Sequence, residues 1–339
     1  MTKKLEELLL EGIQSVAGVS PSMFLNVGYP SFVKVMQFIE ATPTASYADK
    51  VLRKLFNTRD WALDAQKLES FFQLVGEVQF WMLAHEKGVT LERIPETSAK
   101  TPDLRVAGTT PGLPHFEVKT LSVSSGGWMH LAQMTEASFK AQLELEAQIS
   151  QGKRVAISEQ FVAPHGDAPP GKTTTSMCAN LIDKAFGNFK EGQYTAAPTF
   201  MVLNLMLIDS HFTGNMELRP VATGYPESWS VRTGVLWTTG FGAMEQLIHV
   251  QPEFEGKPSI EGVLGRQGVL ANPDTKEVAG LLLIVHPLGE EPVVYGLLRN
   301  EDMQRYQDSD ETLMETFHDL VGSNWNDDLD SNGWNLTHP

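Results

Sequence analysis

The stretch KTPDLRVAGTTPGLPHFEVKTL, Lys100 to Leu121, places two short apolar-bearing runs on either side of a Gly- and Pro-rich connection centred near Pro111. That pattern predicts two strands joined as a hairpin. Along HFEVKTL the side chains alternate, so Glu117 and Lys119 share one face and Phe116 and Val118 the other. A regular antiparallel pairing predicts Asp103 roughly opposite Lys119 and diagonal to Glu117, a diagonal of about 7–8 Å between Cα atoms. Two carboxylates at such range repel, and one takes up a proton unless a cation lies between them. Hard oxygen donors without a nearby His or Cys suit Mg²⁺ or Mn²⁺, ions that keep several waters and take phosphate oxygens from a substrate. The stretch therefore points to metal-assisted hydrolysis of a phosphodiester, with Lys119 orienting or deprotonating the attacking water or stabilising the developing charge.

Upstream, FFQLVGEVQFWMLAHEKG is apolar around most of a helical circumference, which predicts a buried helix. Glu77 is the lone charge between Phe71 and Ala84. A carboxylate buried there needs a partner, because an unpaired buried charge is costly; the metal or Lys119 is the expected one. Downstream the chain reads as a long helix from Met129 to Gln151, an extended run RVAISEQFV, a second helix from about Ser176 to Lys190 and a buried strand in TFMVLNLMLID.

These residues resemble the PD-(D/E)XK nuclease superfamily, the restriction-endonuclease-like fold. Pro102 and Asp103 match the PD pair, Glu117, Val118 and Lys119 match the E-x-K, and Glu77 matches the acid on the preceding helix. The resemblance spans about Phe71 to Val162 and extends towards Asp209 if the order of helix, three strands, helix and strand is completed. It implies a metal-dependent nuclease acting on DNA, less often RNA, of the kind found in restriction, repair or phage defence. It further implies Asp103, Glu117, Val118 and Glu77 as the metal set, Lys119 beside the attacking water and Glu77 as an accessory acid. Gln133 and Lys140 are candidate counterparts of a Gln or Lys that such families carry on the next helix. A catalytically inactive relative that only binds nucleic acid or a protein is the bland alternative; cutting both strands of a duplex would favour a homodimer.

Two further acid-x-lysine triplets, Glu255-Gly-Lys257 and Asp274-Thr-Lys276, lie in Gly- or Pro-rich stretches that predict turns. A competing signal is GDAPPGKT, Gly166 to Thr173, a full match to the phosphate-loop pattern, with Lys172 and a later Asp209 as its candidate nucleotide and magnesium contacts. Pro169 and Pro170 weaken it, since a phosphate cradle needs backbone N–H donors at the positions they occupy. An exposed loop entering a capped helix is the expected reading.

The 339-residue chain carries a formal charge of −16, which argues against a broad basic face for coating nucleic acid. One cysteine, Cys178, excludes a disulfide framework and points to a reducing, cytoplasmic setting. Glutamates interrupt the apolar start, and no apolar run approaches the length of a membrane span. The expected organisation is an α/β protein: a helical region over 1–60, a nuclease-like core of mixed sheet flanked by helices over 61–210, a β-rich extension over 211–300, and an acidic tail over 301–339. That tail holds ten acids and one base, Arg305, and is expected to be solvated, with docking of a basic protein partner as its functional alternative.

Overall fold

Apolar residues at three- and four-residue spacing build the first part of the chain as helices: α1 (Leu5–Ser15), α2 (Tyr29–Ala41), α3 (Ser46–Phe56) and the 22-residue α4 (Ala65–Glu86). Asp64 caps α4 by accepting from the N–H groups of Gln66 and Lys67. Three short strands follow, β1 (Leu91–Arg93), β2 (Leu104–Val106) and β3 (His115–Thr120). Helices α5 (Met129–Ser150) and α6 (Thr173–Asn188) then lead to β4 (Thr199–Asn204). Next come the hairpin β5 (Val221–Tyr225) and β6 (Ser228–Arg232), helix α7 (Val235–Phe241), and the hairpin β7 (Leu247–Val250) and β8 (Ser259–Val263). The chain continues with β9 (Val278–Val285), β10 (Val293–Leu297), α8 (Asn300–Ser309), α9 (Glu311–Val321) and β11 (Trp325–Asn326). The computed structural model describes residues 3–15, 29–58, 61–95, 101–108, 112–121, 129–160, 173–207, 221–225, 228–250, 259–287, 290–309 and 311–329.

The expected mixed sheet flanked by helices is present. Seven strands run in the order β1-β2-β3-β4-β9-β10-β11. The first three are antiparallel neighbours, β3, β4 and β9 are parallel, β10 is antiparallel to β9, and β11 is parallel to β10. Alternation assigns the two faces. Phe116, Val118, Phe200, Val202, Leu282 and Ile284 meet Phe80 and Trp81 of α4 and Leu313 and Phe317 of α9. Met201, Leu203, Leu281 and Leu283 meet Met177, Leu181 and Ile182 of α6 and Val235 and Leu236 of α7. The other side of α4, with Phe71, Phe72 and Val75, packs against Leu5, Leu9, Phe32, Met36 and Leu52 of the first three helices.

Four expectations need correction. RVAISEQFV forms no strand over residues 153–160, where Val155 and Ile157 stand exposed; their local alternation found no sheet edge to join. GVLWTTG, within the stretch expected to be β-rich, is the buried helix α7 between Gly234 and Gly242, since periodicity does not separate a short buried strand from a short buried helix. The region 211–300 is not a separate extension, because β9 and β10 belong to the main sheet and β9 pairs directly with β4. Nor is 301–329 a solvated tail. Glu301, Glu315 and Asp319 lie on the outer sides of helices whose Leu313, Met314, Phe317, Leu320 and Val321 are buried against the sheet, while Asp302 is itself buried and paired with Arg299.

Among the described residues no helix is long and apolar enough to cross a membrane.

Candidate active site

The site forms where β3 runs on beyond β2. The two pair at Leu104↔Phe116 and Arg105↔His115. Towards β4, the N–H of His115 donates to Pro198 and that of Leu121 to Asn204, so odd-numbered residues of β3 serve that side. Phe116, Val118 and Thr120 therefore turn their N–H and C=O groups to the opposite edge. There Asp103 donates its N–H to the Phe116 carbonyl at 3.1 Å, and its carboxylate accepts the Val118 N–H at 2.8 Å. Further along, Gln73 of α4 imitates a strand: its amide oxygen accepts from Thr120 N–H and its amide nitrogen donates to Thr120 C=O. The Val118 carbonyl faces the same edge, between these two side chains.

This geometry corrects the predicted register. Asp103 flanks Phe116 to Val118 and so stands beside Glu117 rather than opposite Lys119. The offset arises because β2 starts at Leu104, and the Asp103 side chain replaces the next rung of the ladder.

Glu117 and Lys119 do share a face, as alternation requires, and their side chains are ion-paired. Glu117 is 0% exposed, and apart from that ion pair neither of its oxygens has a hydrogen-bond partner. Burial, and then the charge of Asp103, push its carboxyl well above the ordinary range, against the pull of Lys119 and Gln193. Burial opposes the Lys119 charge, but the carboxylates of Glu117 and Asp103 outweigh it and hold the ammonium above its usual value.

Glu77 lies one helical turn beyond Gln73 on α4, so both reach towards the open edge of β3. Close approach is enforced by sequence: a Cβ at Gly76 would stand 1.9 Å from Thr120 Oγ1. Behind it, the buried Asn204 side chain donates to Gln79 of α4 at 2.8 Å and contacts His286 Nε2 at 3.1 Å. Glu77 accepts a short hydrogen bond from Tyr47 and pairs with Arg93 at 3.7 Å, while Arg93 lies over the Tyr47 ring at 4.2 Å. Burial, then the Asp103 charge, push the Glu77 carboxyl up to about 7. Asp103 and Lys119 both act on Glu77 electrostatically, so all four predicted residues occupy one region.

Among the described residues no three His, Cys, Asp or Glu side chains gather into one metal-holding group. The expected third carboxylate ligand, Glu77, is instead engaged by Tyr47 and Arg93. The remaining oxygen set is Asp103, Glu117 and the Val118 carbonyl. It fits a divalent cation on one observation: a fully buried carboxylate, ion-paired with Lys119 and beside a second carboxylate, leaves an excess of negative oxygen. One or two carboxylates completed by water and phosphate suit Mg²⁺.

Sequence reading missed Gln73, Tyr47, Arg93, Gln193 and Tyr194, whose roles arise only through packing between distant segments. Two residues before Glu117, His115 is half-buried, with burial depressing its pKa. Lys140 is exposed on α5, and the Gln133 side chain lies outside the described residues. Arg53 of α3 is committed to Asp49 and Glu40. Asp274-Thr-Lys276 sits in a turn, as predicted, with Lys276 in solvent. Glu255-Gly-Lys257, Lys172 and Asp209 lie outside the described residues. Just after the phosphate-loop match, at the start of α6, the N–H groups of Thr174 and Thr175 donate to the Glu261 carboxylate of β8 at 3.4 and 2.7 Å. A protein carboxylate thus occupies helix-terminal donors of the sort that a phosphate would need.

The chain matches no protein-family model, no curated protein and no solved structure.

Proposed function

We propose that this chain is a divalent-metal-dependent nuclease that hydrolyses phosphodiester bonds of DNA. The observation that carries the reading is the Glu117 carboxylate: wholly buried beside Asp103, with Lys119 as its ion-pair partner and the Gln193 amide as a neutral neighbour. Holding a wholly buried carboxylate next to a second one is costly unless a cation joins them. The order helix α4, antiparallel β1-β2-β3, helices, then β4 parallel to β3 agrees with the order that the restriction-endonuclease-like resemblance implies.

Asp103, Glu117 and the Val118 carbonyl would hold Mg²⁺ or Mn²⁺, which when bound supplies a nucleophilic water near neutral pH and polarises the phosphate. Lys119, kept protonated by its carboxylate neighbours, acts as a fixed positive charge for the phosphate oxygens rather than as a base. Glu77, with its carboxyl near neutrality, can hold or release a proton while its Oε1 accepts from Tyr47. Arg93 adds a second, partly exposed cation on the Glu77 side.

The test is cleavage of single- and double-stranded DNA with Mg²⁺ and Mn²⁺. Activity is expected to vanish with chelator, to return with Mg²⁺, to fall at least about a thousandfold in Glu117→Ala and Lys119→Ala, and to persist in Lys172→Ala. Loss in Lys172→Ala with retention in Glu117→Ala would transfer the chemistry to the phosphate-loop match.

A further inference from the structure

The turn Glu191–Gln193, which precedes β4, brings two polar side chains to the same place from outside the four predicted residues. Gln193 donates its amide N–H to the carbonyl of Thr101, two residues before Asp103, at 3.2 Å, and lies close enough to Glu117 to favour its ionised form. That tie fixes the turn against the segment that carries Asp103. The adjacent Tyr194 is 3% exposed, its ring packed on Phe189 at 5.0 Å between centroids, and its hydroxyl is buried without a hydrogen-bond partner. Next to Gln193 in sequence, this hydroxyl lies within electrostatic reach of both Glu117 and Asp103.

A buried hydroxyl left unmade costs stability, and Phe would fill the same volume without that cost. Its environment is short of acceptors that it engages, although two carboxylates are near. The missing partner is therefore something that enters the space between them. Since the carboxylates would take a cation, the group left for a neutral donor is an anionic oxygen arriving with that cation.

We propose that Tyr194 is a substrate-contacting residue whose hydroxyl donates a hydrogen bond to a non-bridging phosphate oxygen of the bound phosphodiester, with Gln193 positioning it and Glu117 together. This inference rests on the metal-dependent phosphodiesterase reading, and two readouts separate their failures. In the first, the full chain is labelled at tyrosine Cζ with ¹³C and titrated with inorganic phosphate in the presence of Mg²⁺; the resonance absent from Tyr194→Phe is expected to shift. In the second, Tyr194→Phe is expected to lose about ten- to a hundredfold in kcat/KM on duplex DNA, with a melting temperature no lower than the parent's and an unchanged Mn²⁺ affinity. A Tyr194 resonance indifferent to phosphate, or a Tyr194→Phe protein that cuts like the parent, overturns the inference while leaving the nuclease reading intact. A resonance that shifts in a parent protein unable to cut DNA upholds Tyr194 as an anion contact and removes the nuclease reading.

Discussion

Glu117 and Lys119 form an ion pair on one face of β3, and Asp103 stands at the strand's edge beside them, its carboxylate taking the place of a backbone rung. Carboxyls raised from 4.5 towards about 7 bind more protons folded than unfolded between those values, so metal-free stability falls as pH rises through that window. Urea denaturation of the chelated protein at pH 5 and pH 8 is expected to show this fall, and Glu117→Gln to be the more stable protein at pH 8 by about 1–3 kcal/mol. Added Mg²⁺ should flatten the slope by favouring the ionised form. Lys119→Met is expected to cost about 3 kcal/mol at pH 8, where it strands a buried carboxylate, and clearly less at pH 5, where that carboxyl is protonated. The Glu117→Gln/Lys119→Met double variant should recover most of the loss, which a double-mutant cycle in urea would read directly.

Helix α4 is the element that makes the site, and the sequence revealed half of its part. Its apolar circumference predicted burial, and Glu77 stood out as the lone charge, but Gln73 and Gly76 carried no local signal. Their meaning depends on Thr120, more than forty residues away: Gln73 closes the edge of β3, and Gly76 lets the helix backbone approach. Gly76→Ala is therefore expected to push α4 off β3, destabilising by about 1–3 kcal/mol through overpacking even though alanine is the better helix former. Gln73→Ala should cost a similar amount, about 1–3 kcal/mol, by leaving the buried polar groups of Thr120 unmet. Both substitutions should also weaken Mn²⁺ binding, whereas Gln66→Ala on the exposed start of α4 should not. Calorimetric titration on the three variants checks the distinction.

At the scale of the molecule, a seven-stranded sheet draws strands from residue 91 to residue 326, so no contiguous segment contains the core. The expected division at residue 210 failed for that reason. Composition located the acids near the end of the chain correctly, yet a charge count averages over a helix and hides the stripe of Leu313, Phe317, Leu320 and Val321 that covers β10 and its neighbours. Truncation after residue 299 is thus expected to expose the Phe200 and Ile284 face and yield an insoluble or unfolded protein by circular dichroism, where removal of a solvated tail would leave the fold unchanged. The long passage from β4 to β9, with its two hairpins and α7, was read as an appendage because nothing local announces that the chain returns to the sheet's centre.

Cation binding at the edge formed by Asp103, Glu117 and the Val118 carbonyl is the property on which the proposed chemistry depends. Electron paramagnetic resonance of Mn²⁺ titrated into the chelator-stripped protein measures it without reference to any substrate. The expected result is a saturable site in the parent chain that Asp103→Asn and Glu117→Gln each abolish while both remain folded; Mn²⁺ binding equal in the parent and in both variants, or absent from all three, would contradict it.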